Sequence, residues 1–561
     1  MSSFSLAKSL SPKAFFPKVL QGWTVFVTGI ALLIATPIIF VLSSIFSDAR
    51  EIWTHLATTV LSGYILNSLS LMLGVGVGVL LIGVSTAWLV TACRFPGSKI
   101  FEWALLLPLA IPAYLLAYTY TELLDYYGPV QTWLRNAFGW QSIQEYWFPP
   151  VRSLGGAIIM LFLVLYPYVY LIARVAFLEQ SVRTLEASRS LGRGPWRSFF
   201  TVALPLARPA IMGGLALALM ETLGDFGTVD YFGVTTFTTG IYRTWLGMGE
   251  PVAAAQLAAF LMLFVLTLIV SERWFRRQAR YYDLGHAYES GDPYQLKGMR
   301  SLVAGLTCLL PVTLGFLLPA GLLLKMTWEN AAETLDQDFW QLAFHSFVLA
   351  TLTAAVAVIV ALIIAYGHRL NRNLTMNSAV RIASMGYAIP GSVIAVGVVI
   401  PLAQFDNWLD SRMETIFGIS TGLLLTGTII ALIFAYLVRF LAVSFNTVES
   451  SLTKIKPSLD DAARSLGHSP SSTLVKVHAP LMLGGMLTAV MLVFVDVMKE
   501  LPATLLMRPF NFDTLAVQVY QYASDERLIE ASAPALAIVL VGIIPVIFLS
   551  MRIAKSRSGW Q

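Results

Sequence analysis

Twelve long apolar stretches constrain this chain more than any other feature. A helix needs roughly 20 mainly apolar residues to cross about 30 Å of hydrocarbon, because each residue adds about 1.5 Å. Twelve stretches of the 561 residues reach this length, six in each half. Their approximate centres are Ile34, Val79, Ala110, Val164, Ala218, Met262, Leu314, Val358, Ala395, Ile429, Leu492 and Val541. The sequence therefore predicts an all-α polytopic membrane protein with twelve transmembrane helices.

The composition fits lipid as the surrounding medium. Charged residues make up 12% of the chain, against about 25% in typical soluble domains, and hydrophobic residues make up 57%. Two cysteines, Cys93 and Cys308, are too few for a disulfide framework, and the six histidines form no His-x-x-x-His pair. We therefore expect no stable metal site.

The basic residues predict the orientation. If the N-terminus is cytoplasmic, 28 of the 37 Lys and Arg residues lie in inside segments, 8 lie outside, and one, Lys499, lies within a span. Basic residues near span ends are retained on the cytoplasmic side, so both termini are predicted to be cytoplasmic. Topology and lipid headgroups then account for the net charge of +5, and no nucleic-acid partner is expected.

An internal repeat divides the chain in two. The residues Glu-Ala-Ser-Arg-Ser-Leu-Gly at 186–192 return as Asp-Ala-Ala-Arg-Ser-Leu-Gly at 461–467, an offset of 275. Ala-Ile-Pro at 110–112 returns at 388–390, an offset of 278. Each copy of the longer motif falls inside, between the fourth and fifth spans of its half. The halves therefore have the same orientation, which predicts two parallel six-helix repeats about an axis along the membrane normal.

The predicted boundaries follow from the spans and the repeat. They are a cytoplasmic N-terminal tail at 1–22, a first six-helix half at 23–271, a cytoplasmic linker at 272–300, a second six-helix half at 301–551 and a cytoplasmic tail at 552–561.

The duplicated motif resembles the EAA loop of ABC importer permeases. The resemblance implies a type I ABC importer permease architecture, in which this loop forms a short cytoplasmic helix, a turn at Gly and a second helix. It also implies that the first helix docks in a groove of an ATPase subunit. The docking residues carried over are Glu186, Ala187 and Gly192 in the first half and Asp461, Ala462 and Gly467 in the second. One copy would also suit an ordinary amphipathic loop, but two copies in register favour docking.

The partners follow from the same resemblance. The chain contains no Gly-x-x-x-x-Gly-Lys-Ser/Thr sequence and no reactive constellation, so we expect a transport subunit without enzymatic activity or a bound cofactor. ATP and Mg would belong to two copies of a separate ABC ATPase. A periplasmic or extracellular substrate-binding protein would deliver the cargo, and the lipid environment would be the bacterial cytoplasmic (inner) membrane.

Four acids within the fifth and eleventh spans are the candidate translocation pathway. Glu221 aligns with Asp496 and Asp225 with Glu500 at the offset of 275, and the i, i+4 spacing predicts one helical face for each pair. An ionised acid near mid-membrane costs at least about 2.5 kcal/mol, so these side chains should face the bundle interior. There they would attract cations. Neutralisation by Lys499, helix-packing or gating contacts, and solvated span ends are the alternatives.

The neighbourhood of these acids resembles fused ferric-iron permeases of the Fbp type. The similar stretches are 221–229, 499–506 and 508–515, and they imply ferric iron as the cargo. Fused thiamine and aminoethylphosphonate permeases share the overall plan, so another small solute, thiamine first, is the alternative. From a different class, a proton-coupled secondary transporter could also use twelve spans and buried acids. The duplicated loop disfavours it, because such a carrier has no ATPase to dock.

Overall fold

The computed structural model describes residues 17–179, 195–277 and 294–558. The α-helices described before residue 278 are Pro17–Ser43, Arg50–Thr59, Leu61–Ala92, Ser98–Ala104, Ala113–Leu124, Pro129–Phe138, Leu154–Glu179, Pro195–Ser198, Leu204–Gly224, Gly227–Tyr231, Phe237–Tyr242 and Pro251–Arg277. Those after residue 293 are Met299–Val312, Leu318–Glu329, Ala331–Thr334, Gln337–Leu370, Leu374–Ala383, Gly391–Phe417, Ile429–Thr453, Ser458–Ser465, Pro470–Thr473, Ala479–Leu481, Leu483–Met498, Pro502–Met507, Leu515–Ser524 and Leu528–Ser558.

Shorter elements join several of these helices. One-turn 3₁₀ segments are Ser44–Phe46, Leu107–Ala110, Ile143–Glu145 and Gly386–Ala388. Five-residue π-helical segments are Phe199–Ala203, Arg243–Gly247, Thr313–Leu317 and Leu474–His478. Two-residue strands at Cys93–Arg94 and Tyr294–Gln295 pair in parallel.

Ten helices in the described part of the chain are long and apolar enough to cross a membrane, or up to twelve spans if each of two bent pairs counts as one. The pairs are Ser98–Ala110 with Ala113–Phe138, bent by 90°, and Pro470–Leu481 with Leu483–Met498, bent by 79°. They correspond to the third and eleventh predicted spans. The predicted all-α polytopic fold is confirmed.

The tenth span is displaced from its predicted centre. Ile429 is the first residue of the helix Ile429–Thr453, not its middle. The leucines at 423–425, which precede the helix, extend the apolar stretch beyond the helical segment. Apolar composition therefore located the span but not its N-terminal end.

Helix ends also differ from the predicted boundaries. The helix Pro251–Arg277 continues past residue 271, and the last helix continues to Ser558. Both extensions carry basic residues, which end an apolar stretch in the sequence but favour helix well enough to continue it. Residues 278–293 of the predicted linker lie outside the described residues.

Proline sets the start of two helices. Pro112 immediately precedes the helix Ala113–Leu124 with φ −60° and ψ 145°, and Pro390 precedes Gly391–Phe417 with φ −54° and ψ 141°. Because proline has a fixed φ and no N–H, it suits the residue where a chain enters a helix. At each of these prolines the chain therefore breaks between two helical segments.

Contacts divide the chain into two compact units, the larger made of 38–350, 388–435 and 495–561. Its helices approach closely at glycines. A Cβ added to Gly78 would lie 2.5 Å from Phe162 Cδ1, and one added to Gly214 would lie 2.9 Å from Val169 Cα. Small residues permit such contacts between membrane helices, where apolar lipid supplies little drive for association.

The smaller unit comprises 1–37, 351–387 and 436–494. It too is tightly packed, since a Cβ on Gly386 would collide with the Val438 carbonyl oxygen. Trp23 packs edge-on against Tyr366, with ring centroids 5.7 Å apart. Ser444 Oγ, which is buried, donates to the Ala357 carbonyl at 3.1 Å and joins two helices.

Candidate coupling loop and translocation pathway

The second copy of the duplicated motif begins with the short helix Ser458–Ser465. Asp461 lies in its first turn and Arg464 in its last, an arrangement that complements the helix dipole. Their side chains approach to 3.7 Å, and 75% of the Asp461 side chain is exposed. Ala462 is exposed and Ala463 is buried. The acid and the small residue that the resemblance assigns to docking therefore lie on an accessible face.

A glycine turn ends this helix. Gly467 has φ +79°, the left-handed conformation expected at this position. His468 N donates to the Ala463 carbonyl at 3.0 Å, and Gly467 N donates to the Arg464 carbonyl at 2.9 Å. These bonds satisfy carbonyls left open at the helix end. The turn at Gly that the resemblance implied is therefore present at Gly467.

A second helix follows the turn. Ser469 precedes Pro470–Thr473, and its Oγ accepts from Ser472 N at 3.3 Å. The sequence of short helix, glycine turn and second helix, which the resemblance implied, is therefore present in the second half. Glu186, Ala187 and Gly192 of the first copy fall within 180–194, outside the described residues.

The acids of the first half do not share one helical face. Glu221 belongs to the helix Leu204–Gly224, but Asp225 follows its end in an extended conformation. The Asp225 carboxylate accepts from Thr228 Oγ1 at 2.9 Å and from Val229 N at 3.1 Å. It therefore caps the next short helix, whose free N–H groups compete for it.

In the second half, too, the two acids do not lie in one helix as predicted. Asp496 lies in the helix Leu483–Met498, and Glu500 follows that helix. The carboxylate of Glu500, which is only 4% exposed, accepts from Ala503 N at 2.9 Å, Thr504 N at 3.0 Å and Thr504 Oγ1 at 2.6 Å. The prediction of one helical face per acid pair is wrong in both halves, because each helix ends between its two acids.

Lys499 pairs with one of the candidate pathway acids. Its Nζ lies 2.9 Å from Asp496 Oδ1, with the two side chains 31% and 18% exposed. Lys499 also interacts electrostatically with Glu221. It thus neutralises part of the charge that the two helix-borne acids contribute, as one of the alternatives anticipated.

Tyr114 connects the two capping acids. Its side chain lies near both Asp225 and Glu500, and its hydroxyl donates to the Lys499 carbonyl at 3.4 Å. The four acids therefore share one neighbourhood around Tyr114 and Lys499. Sequence reasoning missed this tyrosine; its only signal was its place two residues after Pro112, in one copy of the repeated Ala-Ile-Pro.

The capped short helices are packed without spare room. A Cβ added to Gly227 would lie 2.7 Å from Tyr114 Cβ and 2.9 Å from Leu501 Cδ2. The Tyr242 hydroxyl donates to the Pro502 carbonyl, and the Tyr242 ring stacks on Phe226. Asp225 and Glu500 therefore belong to a compact joint between the repeats, and 18% of the Asp496 side chain is exposed.

The described residues contain no group of three or more His, Cys, Asp or Glu side chains arranged to hold a metal ion. The neighbourhood of Tyr114 and Lys499 thus offers charge and hard oxygen donors without a closed coordination sphere. The pathway role of Glu221, Asp225, Asp496 and Glu500 stays a prediction.

Comparison with known proteins places these features in context. The family model described as "Binding-protein-dependent transport system inner membrane component" matches twice, at residues 79–281 and 357–557. The "Fe(3+)-transport system permease protein FbpB 2" of Haemophilus influenzae is 29% identical over 86% of this chain and 88% of its own length.

Two further relatives differ in how much of the chain they cover. The "Ferric transport system permease protein FbpB" of Actinobacillus pleuropneumoniae is 23% identical over 84% of this chain and 69% of its own length. The "Molybdenum transport system permease protein ModB" of Escherichia coli is 31% identical over 35% of this chain and 86% of its own length. Similarity to the two ferric permeases thus spans both halves, whereas similarity to the molybdenum permease spans about one.

Proposed function

The chain belongs to the family of binding-protein-dependent transport system inner membrane components, and on that premise we propose that it forms the passage for ferric iron in an ATP-driven importer. The family match and the helices establish a multi-pass membrane subunit of transport type, without enzymatic activity of its own. Its fold is that of a type I ABC permease with two parallel repeats. The cargo, the motor and the orientation are the proposed parts.

The observation that carries the cargo proposal is similarity over the fused length. Relatives named for Fe(3+) or ferric transport align with both repeats of this chain, and the relative named for molybdenum aligns with 35% of it. The acidic side chains of Glu221 and Asp496 also support a cationic cargo, because fixed negative charge attracts cations and repels anions. Thiamine, which is also cationic, is the alternative cargo.

The ATPase subunit is proposed to dock on the two EAA-like loops. The exposed Asp461 and Ala462 on a short helix, followed by the Gly467 turn, form a rigid element that another protein can grip. ATP can drive transport only if it favours one arrangement of the two repeats over the other, and these contacts would transmit that preference. Two ATPase copies would then serve the two loops, with both termini in the cytoplasm and the binding protein opposite.

Co-purification tests the motor. The ATPase subunit is expected to remain bound to the wild-type chain and to be lost when Gly192 and Gly467 are both replaced by valine, because valine disfavours positive φ. Replacement by asparagine, which tolerates positive φ better, is the matched control. Solute movement in vesicles that contain this chain alone would contradict the proposal and favour a secondary transporter.

Uptake tests the cargo. Proteoliposomes containing the permease, its ATPase and its binding protein should accumulate radiolabelled ferric iron when ATP is supplied, and excess thiamine should not compete. Glu221→Gln and Asp496→Asn together should reduce the uptake rate, while ATPase co-purification persists. Thiamine uptake without iron uptake would refute ferric iron as the cargo.

A further inference from the structure

Asp460, next to the docking residue Asp461, faces inward instead of outward. Its Oδ2 accepts from Arg369 Nη2 at 2.6 Å and Nε at 3.0 Å, and its Oδ1 accepts from His478 Nε2 at 2.7 Å. The Arg369 and Asp460 side chains are 15% and 13% exposed, and that of His478 is fully buried. Adjacent acids in one helix turn therefore have different surroundings, one facing solvent and one held by two partners.

Arg369 extends this contact to a third helix. Its Nη1 donates to the Leu452 carbonyl at 2.7 Å and its Nη2 to the Ile455 carbonyl at 2.9 Å. Leu452 lies in the last turn of the helix Ile429–Thr453, where unsatisfied carbonyls attract a cation. Arg369 itself lies in the last turn of Gln337–Leu370. One guanidinium thus joins the ends of two spanning helices to the short helix Ser458–Ser465.

His478 supplies the remaining connection. It ends the π-helical segment Leu474–His478, on the other side of the Gly467 turn, and its ring packs 5.3 Å from that of Tyr366. Asp460, in the helix before the turn, is therefore hydrogen-bonded to His478, in the helical segment after it. Charge-assisted bonds with restricted water access hold geometry well, and loss of one partner leaves an uncompensated charge.

The first repeat lacks all three side chains. At the offset of 275, Asp460 corresponds to Leu185 and His478 to Ala203, and at the offset of 278 Arg369 corresponds to Thr91. The docking motif is duplicated with its acid, alanine and glycine, but the residues that hold Asp460 are not.

We propose that Arg369, Asp460 and His478 form a clamp that positions the second coupling helix and stiffens its attachment to the spanning helices. The proposal rests on the proposed docking of an ATPase for its consequence in transport. A stiff attachment transmits movement of the ATPase to the second repeat directly.

Spin labels on the isolated permease test the clamp without the motor. Leu466→Cys, at an exposed position beside the turn, reports the second loop, and Leu191→Cys reports the equivalent position of the first. Cys93→Ser and Cys308→Ala remove the native thiols. Asp460→Asn should let the label at position 466 move faster, which narrows its electron paramagnetic resonance spectrum. The spectrum of the label at position 191 should stay unchanged. An unchanged spectrum at 466 would overturn the proposal.

A second variant distinguishes loss of the clamp from a folding defect. Replacing Arg369 by Thr, Asp460 by Leu and His478 by Ala gives the second repeat the residues of the first and leaves none of the three polar side chains in place, a change that is often tolerated. It should also narrow the spectrum at 466. Asp461→Asn, a matched change of the exposed neighbour, should leave that spectrum as in the wild type; narrowing of equal size would contradict the clamp.

Reconstitution with the ATPase and the binding protein tests the consequence. Asp460→Asn should lower the number of cargo molecules moved per ATP hydrolysed, while the ATPase still co-purifies. A mobile loop with an unchanged ratio would overturn the positioning role. If the ATPase does not bind even the wild-type chain, the docking proposal fails, and the spectra of the isolated permease still decide whether the clamp exists.

Discussion

Asp225 and Glu500, which are 275 positions apart, each cap the short helix that follows, and both lie near Tyr114. The bonds to Val229 N and Thr504 N are made at the same relative position in the two repeats. One acid is Asp and the other is Glu, so the repeats preserve the charge and the cap but not the side-chain length. A helix start within an apolar bundle needs an acceptor for its free N–H groups, because lipid offers none.

Removal of the second cap should cost more than removal of the first. Glu500→Ala leaves the buried N–H groups of Ala503 and Thr504 without their carboxylate, which should lower the free energy of unfolding by about 1–3 kcal/mol. Asp225→Ala removes one backbone bond and one hydroxyl bond, and a loss of about 0.5–2 kcal/mol is expected. Denaturant unfolding in detergent micelles measures both. Equal stability of Glu500→Ala and the wild type would contradict the capping role, and Glu500→Gln, which keeps an acceptor, should fall between.

The pair formed by Lys499 and Asp496 should behave as a coupled unit. Lys499→Met leaves Asp496 without its cation, and Asp496→Asn leaves Lys499 without its anion, so each single change should destabilise the protein. The double variant should lose less than the sum of the two, with a coupling energy of about 0.5–3 kcal/mol. Unfolding measurements on the four proteins of this cycle supply the value. Strictly additive losses would show that the contact contributes nothing to stability.

Apolar length and the repeat predicted most of the fold, but they could not predict where helices break. The i, i+4 spacing of Glu221 and Asp225 assumes a continuous helix, whereas the helix ends at Gly224. Local signals were present, since Pro502 suits the first position of a new helix and Gly224 and Gly227 lie on either side of Asp225 in the first half.

Contacts between residues far apart in the chain were harder still to predict from the sequence. Asp460 and Arg369 are 91 positions apart, and nothing in the motif distinguishes the inward Asp460 from the outward Asp461. Only packing of the helix ends decides which acid meets the guanidinium. The Gly467 turn was predictable because positive φ depends on a single residue type, not on distant contacts.

The attachment of the second loop should weaken in acid. Burial raises the pKa of Asp460, but hydrogen bonds from Arg369 and His478 outweigh burial and hold the pKa below the ordinary value of 3.8. The unfolded carboxyl binds a proton more readily, so the stabilisation is complete above about pH 3.8 and is lost as the pH falls through the lowered folded value.

The label at Leu466→Cys can follow this loss. Between pH 7 and pH 5 Asp460 stays ionised, so its titration should not change the spectrum. Below the ordinary carboxyl pKa of 3.8, where Asp460 begins to bind a proton, the spectrum should narrow. Asp460→Asn should give a mobile label throughout and lack the acid transition. An acid transition of the same size in both proteins would assign it to another group.

The contact between Gly227 and Tyr114 should make position 227 intolerant of even a methyl group. Gly227→Ala places a Cβ 2.7 Å from Tyr114 Cβ and 2.9 Å from Leu501 Cδ2, so the short helix Gly227–Tyr231 must shift. Overpacking of this kind typically costs about 1–3 kcal/mol. Because Asp225 caps the same helix, the shift should also disturb the acid neighbourhood and slow iron uptake in the reconstituted system.

Gly305 provides the matched control for this steric argument. It lies in the helix Met299–Val312, and a Cβ added there meets no atom within 4 Å. Gly305→Ala should leave uptake unchanged and stabilise the helix slightly, since alanine favours helix over glycine by about 1 kcal/mol. If Gly227→Ala transported and unfolded like Gly305→Ala, the joint around Tyr114 would have room to adjust. Its close packing would then not explain why glycine occupies position 227.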